Sequence, residues 1–178
     1  MRIGAVVAVA LAIAFIVWLL VRGGGGSSTT TPSLPALPDV GPTAVSVVQL
    51  GTYSGKAGHP IYWAGPVPNT QYELTQTSGG SIYIRYLPQG VPVGTKALHT
   101  LVGSYPVTNA YKVLQGLAKK GGETSFTAPG NGIAVYSQSS PTNVYLAYPG
   151  SNVQIEVFDP SPKRARSLIT SGQIAPVP

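Results

Sequence analysis

The chain contains no cysteine. This excludes a disulfide framework, a thiolate-ligated zinc or iron–sulfur centre, a thiol nucleophile and a lipid-modified cysteine. Charge is also scarce: 9% of residues are Asp, Glu, Lys or Arg, against about a quarter in an average soluble domain. The few charges are unbalanced, with 11 Lys and Arg against 5 Asp and Glu, a net charge of +6. The two histidines, His59 and His99, have no acidic neighbour in sequence. A metal site needs three or four convergent ligands, so neither a metal nor a cofactor is expected. There is no Gly-x-Ser-x-Gly elbow, the turn that exposes a nucleophile in many hydrolases. There is also no Gly-rich loop ending in Lys-Ser/Thr, the cradle that nucleotide phosphates require. These gaps weigh against an enzyme.

What is present begins with an apolar run, Ile3 to Val21, without a single charged or strongly polar residue. As a helix it would be about 28 Å long, close to the roughly 30 Å hydrocarbon core of a bilayer. Arg2 and Arg22 bracket it and Trp18 sits near one end, as expected at a membrane interface. A cleaved signal peptide would have a shorter apolar core followed by a small-residue cleavage site. Residues 1–22 therefore read as an uncleaved, single-pass signal anchor whose partner is the lipid bilayer. A two-residue tail left in the cytoplasm places residues 23–178 outside. With no cysteine and no Asn-x-Ser/Thr sequon, the expected setting is a bacterial plasma membrane, and nucleic acid is not an expected partner. Residues 23–44 read as a linker. Its flexible GGGGSSTTT part is followed by a stiffer, proline-rich PSLPALPDVGP part, which together lift the domain off the membrane.

Residues 45–178 read as one globular α+β domain, mainly antiparallel sheet with about three helices. Ser46 and Gln49 fit a capping box, with Val45 and Leu50 as its hydrophobic staple. A short strand is expected at Ile61–Trp63. Two longer strands should flank Ser78-Gly79-Gly80, with Glu73 opposite Arg85, Leu74 opposite Ile84, Tyr72 opposite Tyr86 and Gln76 opposite Ile82. That register puts Tyr72, Leu74, Ile82, Ile84 and Tyr86 on the core face. It leaves Glu73, Thr75, Tyr83 and Arg85 on a wetter one. A further strand is expected over Leu98–Ser104. Thr108 is expected to cap a helix whose stripe is Ala110, Val113, Leu114, Leu117 and Ala118. Strands return at Thr124–Phe126, Ile133–Ser137, Asn143–Tyr148 and Val153–Phe158, and a last helix starts near Ser161-Pro162.

The two halves resemble one another. Ile82-Tyr83-Ile84-Arg85-Tyr86 matches Val144-Tyr145-Leu146-Ala147-Tyr148 at an offset of 62 residues, the same offset that separates Ser46 from Thr108. The expected plan is a helix-plus-four-strand unit used twice, over 46–105 and 108–159, with a closing helix over 161–171. In outline this resembles small extracytoplasmic binding or inhibitor modules, such as PepSY-like domains and tandem β-lactamase inhibitory proteins. The likeness concerns the fold and transfers no residue role.

The candidate partner surface combines aromatic and basic residues. All ten tyrosines lie between Tyr53 and Tyr148. Tyr62 and Trp63 form an aromatic turn, and Tyr83, Tyr136 and Tyr145 are expected to line one sheet face with Arg85 nearby. Tyrosine offers contact area with a polar tip, which suits recognition. Lys163, Arg164 and Arg166 cluster at the start of the last helix, where the helix dipole disfavours cations. The expected function is a membrane-anchored, non-enzymatic binding or interaction module for an envelope protein or an anionic envelope polymer. Two alternatives stand beside it. One is an envelope hydrolase using His59 or His99. The other is a structural or assembly subunit acting through its membrane helix, where Gly4, Ala8 and Ala12 form a small-residue stripe.

Overall fold

Ser46 opens the first helix, α1 (Val47–Ser54), through a reciprocal cap. Its Oγ accepts from the Gln49 N–H at 3.2 Å, and the Gln49 side chain accepts from the Ser46 N–H at 2.8 Å. Two amides that the helix start would orphan are satisfied together. Val45 and Leu50 are both buried, as the staple requires. Ser46→Ala is expected to cost about 1 kcal/mol, read as a lower urea midpoint with an unchanged slope. These features belong to a computed structural model that describes residues 40–178. The apolar run Ile3–Val21, its small-residue stripe, the Gly/Ser/Thr tether and the linker as far as Asp39 lie outside the described residues. Among the described residues, no helix is long and apolar enough to cross a membrane.

The remaining elements are β1 (Val40–Val45), β2 (Tyr62–Trp63), β3 (Thr70–Gln76), β4 (Ile82–Pro88), β5 (Leu101–Pro106), α2 (Ala110–Leu117), β6 (Glu123–Ala128), β7 (Gly132–Ser137), β8 (Asn143–Ala147), β9 (Val153–Phe158), α3 (Pro162–Thr170) and β10 (Ala175–Pro176). Eight strands form one sheet in the order β1-β3-β4-β5-β9-β8-β7-β6. Every neighbouring pair is antiparallel. With three helices, the described domain is α+β. The β3–β4 hairpin has the register that the alternation demands, Glu73 opposite Arg85 and Leu74 opposite Ile84. Thr77 and Ser81 close it at 2.9 Å, leaving Ser78–Gly80 as the loop, with Gly80 at a φ of 79°.

Four features depart from the sequence expectations. The sheet starts at Val40, so residues 40–44 are edge strand paired with β3 rather than linker. Asn109, not Thr108, precedes α2. It sits in the left-handed region at φ 55°, which asparagine tolerates better than threonine because it is not β-branched. The strand after β4 starts at Leu101 rather than Leu98. The Ile61–Trp63 strand lies outside the main sheet and pairs with β10 near the C-terminus.

The sheet consists of two four-stranded meanders, β1-β3-β4-β5 and β6-β7-β8-β9, joined at β5 and β9. The helices do not follow the same plan. α1 lies between the first two strands of its meander, whereas α2 precedes all four of its own. Leu50 of α1 joins the large core with Tyr72, Leu74, Ile82, Ile84 and α3. Ala110, Leu114 and Leu117 of α2 instead pack on Val135 and Tyr145, which point to the opposite face. The 62-residue offset between Ser46 and Thr108 therefore does not relate equivalent helices.

Candidate functional site

The tyrosines first show what the site is not. Tyr62 and Trp63 are 8% and 5% exposed, and Tyr83 and Tyr145 are 2% and 5% exposed. Tyr62 stacks on Tyr148 at 5.9 Å, and Trp63 meets the edge of Tyr72 at 6.0 Å. Tyr136 lies on the face opposite Tyr83 and Tyr145, packed against the large core beside Phe126. The expected aromatic surface of Tyr83, Tyr136 and Tyr145 is thus replaced by two buried tyrosines on one face and a half-buried one, Tyr136, on the other. The cause is steric coverage, since helices and loops pack over both faces of the sheet, and strand alternation alone cannot reveal that.

Several hydroxyls have a structural task. The segment from Tyr62 to Val67 runs above the main sheet, so no neighbouring strand of that sheet satisfies its amides. Ser104 Oγ accepts from the Tyr62 N–H at 2.8 Å, Tyr86 Oη from the Ala64 N–H at 2.6 Å, and Tyr72 Oη from the Val67 N–H at 2.8 Å. Burial raises the Tyr86 hydroxyl well above its ordinary pKa, which keeps it neutral for this role.

The expected wet face is also covered. Glu73 has a side chain 1% exposed and pairs with Arg85 at 3.0 Å. Arg85 donates to the carbonyl oxygens of Thr95 and Ala97, and the Gly94 N–H donates to Glu73 at 2.6 Å. The pair therefore fastens the 89–99 segment over the sheet, and Arg85 belongs to the scaffold. Further along this face, Tyr83, Gly103, Glu156 and Tyr145 follow one another across four strands. The missing side chain at Gly103 leaves room for the Tyr105 ring, which a Cβ there would meet at 2.9–3.0 Å. Tyr105 and Asn143 both donate to the Glu156 carboxylate. Burial holds the Glu156 carboxyl above its ordinary value, against the lowering effect of those two hydrogen bonds.

The histidines are apart. His59 places Nε2 2.7 Å from the Gly80 carbonyl and Nδ1 3.0 Å from the Pro60 carbonyl. Both ring nitrogens are occupied, so His59 is a poor base or ligand. His99 lies along a groove of about 670 Å³, also lined by Val67, Leu98, Asp159, Arg164 and Leu168. Its Nε2 has no hydrogen-bond partner. Leu98, on the groove rim, is 63% exposed. Asp159 is buried and fully engaged. It accepts from the Thr100 hydroxyl at 2.6 Å, the Ser161 N–H at 2.8 Å and Arg164 at 3.3 Å. No three His, Asp or Glu side chains among the described residues converge to hold a metal ion.

The basic helix start is the part of the expected surface that remains accessible. Lys163 and Arg164 are exposed, and the half-buried Arg166 guanidinium lies 5.2 Å from the centroid of the Tyr136 ring. Asp159 offsets the dipole penalty by placing a carboxylate just ahead of the helix, where it accepts from the Ser161 N–H and pairs with Arg164. The rest of the surface has the same sign. Lys56, Lys96, Lys112, Lys119 and Lys120 are exposed. By contrast, Glu73, Glu156 and Asp159 are buried and Glu123 is half-buried. Among the described residues, folding thus buries three of the four acidic side chains and half-buries the fourth, which leaves a mainly cationic surface with a partly apolar groove beside α3. Sequence reasoning counted the charges but could not sort them into inner and outer sets. It also passed over Leu98 and Asp159, because only the fold brings them beside Arg164.

The arrangement defines a class, a cationic antiparallel-sheet domain with a groove along one helix. No family model, curated protein or solved structure matches this chain.

Proposed function

We propose that this chain is a membrane-anchored, extracytoplasmic binding module that engages an anionic partner at the cell envelope. One observation carries the reading: none of the side-chain carboxylates among the described residues is exposed, while seven lysines and arginines are. A surface of one sign attracts partners of the other and raises their rate of encounter. The Ile3–Val21 run supports anchorage, and the proline-rich linker supports presentation of the domain away from the bilayer. The Ile82–Tyr86 and Val144–Tyr148 segments occupy equivalent strands, β4 and β8, of the two meanders. That supports descent of the meander, without its helix, from a duplicated unit.

The test uses the full chain in nanodiscs of neutral lipid with long-chain polyphosphate as probe. Binding should be saturable and should weaken strongly as salt rises towards physiological strength. Lys163→Gln with Arg166→Gln should reduce affinity about tenfold at low salt. Binding that ignores salt and survives both substitutions overturns the reading. A second reading, an envelope hydrolase centred on the groove, needs the buried and unpartnered Nε2 of His99 to become accessible there. Full hydrolytic activity in a His99→Ala variant would remove it.

A further inference from the structure

The two outer strands of the sheet are unlike. At one edge, β1 carries Pro42, which has no N–H to offer, and its register slips between Val40 and Thr43. Proline and irregular pairing are the usual means of closing an edge to further strands. At the other edge, β6 has six residues in unbroken register with β7 and no proline. The Gln138 N–H donates to the Gly122 carbonyl at 2.9 Å. Hydrogen-bonded pairs recur at every second residue of an antiparallel ladder. Thr124 and Phe126 therefore turn their amides towards Tyr136 and Ala134 of β7. Ser125 and Thr127 turn theirs away from the sheet, and both residues are exposed. The Glu123 N–H is closed by the turn, at 3.3 Å from the Lys120 carbonyl, so the open stretch is short and defined.

Cations outnumber the one carboxylate at this edge, the half-buried Glu123 that opens β6. Lys119 and Lys120 are exposed in the turn that leads into β6. Arg166 lies over Tyr136, directly across the ladder from Thr124. A second copy of the chain would bring a like-charged surface to the edge. An acidic strand would bring the complement.

We propose that β6 is a strand-addition site for an extended, acidic polypeptide segment, which pairs with the outward amides and carbonyls of Ser125 and Thr127 beside Lys119 and Lys120. Backbone pairing supplies the affinity, as in other cases of β-augmentation, and the flanking cations select acidic sequences. The inference rests on the anionic-partner reading for the sign of the charge alone.

The experiment titrates the full chain in neutral-lipid nanodiscs with a short peptide that alternates glutamate and valine. Saturable binding is expected. N-methylation of alternate peptide amides should weaken it about tenfold on the wild-type chain, because each lost backbone bond leaves a partner unpaired. Ser125→Pro should weaken it similarly, since proline is tolerated where an edge N–H faces solvent. A peptide with lysine in place of glutamate should not bind. Unchanged affinity for the N-methylated peptide overturns strand addition, whether or not the proline variant folds. Concentration-dependent dimerisation lost in Ser125→Pro overturns the acidic occupant in favour of a second copy. Polyphosphate binding should be retained in Ser125→Pro, so loss of strand addition alone leaves the broader anionic reading standing.

Discussion

Arg85→Ala is expected to lower the stability of the domain by about 2–4 kcal/mol. Breaking a buried ion pair strands the remaining charge, which costs about 3–5 kcal/mol where both groups are fully buried. Arg85 retains a side-chain exposure of 21%, and water screening takes the expectation below the top of that range. Two further contacts go with the guanidinium, those to the carbonyls of Thr95 and Ala97. The 89–99 segment should therefore become a site of rapid limited proteolysis. The companion variant, Glu73→Gln with Arg85→Met, leaves no buried charge and should recover most of the loss. Urea unfolding of the three proteins checks the expectation. A single-variant loss below about 0.5 kcal/mol would place the pair with ordinary surface ion pairs.

Glu156 carries the second large effect. Its carboxyl lies between Tyr105 and Asn143 under complete burial. Alanine there leaves a cavity and two buried donors without an acceptor. The expected cost is about 2–4 kcal/mol near pH 5. Glutamine tells more. Its carbonyl oxygen can accept from Asn143 while its amide donates to Tyr105, so Glu156→Gln should match the wild type at acid pH. The two proteins should diverge as pH rises. Burial places the folded-state pKa of Glu156 above its ordinary value of 4.5, so the folded chain holds this proton more tightly than the unfolded chain. That contribution is complete below pH 4.5 and is lost as the pH climbs through the raised value. The wild type should therefore lose stability relative to Glu156→Gln above the ordinary carboxylate range. Parallel stability–pH curves for the two proteins would remove Glu156 as the source.

Local rules were sufficient for much of the framework. The β3–β4 hairpin was legible because Tyr72, Leu74, Ile82, Ile84 and Tyr86 alternate around a glycine-containing loop, and a shift of one residue would invert every side chain. The α1 cap was legible because Ser46 and Gln49 stand at the one spacing that lets each satisfy the other's amide. The α3 start was legible from Ser161-Pro162, with the Ser161 hydroxyl accepting from the Arg164 N–H at 3.4 Å. The linker boundary was harder to read. A proline and a glycine in VGPTAV argue against a strand, yet an edge strand accepts proline where its nitrogen faces away from the ladder.

The candidate site was less legible, for a physical reason that Tyr83 and Glu73 share. Alternation assigns a residue to a face, but only packing decides whether that face meets water. Tyr83 reads as a wet-face tyrosine until the 89–99 segment and α2 cover its side of the sheet. Glu73 reads as a surface partner of Arg85 until Gly94 and Thr95 close over the pair.

The sequence by itself determined most of the strands, the β3–β4 register, the caps of α1 and α3, the excess of basic over acidic residues and the apolar run at Ile3–Val21. These follow from periodicity, short-range hydrogen bonding and composition. Only the tertiary structure decided that acidic side chains turn inward, that the tyrosine hydroxyls hold the 62–67 segment, and that β6 is the unguarded edge. Each of those depends on residues far apart in the chain being brought together, and burial and strand pairing are properties of the assembled sheet.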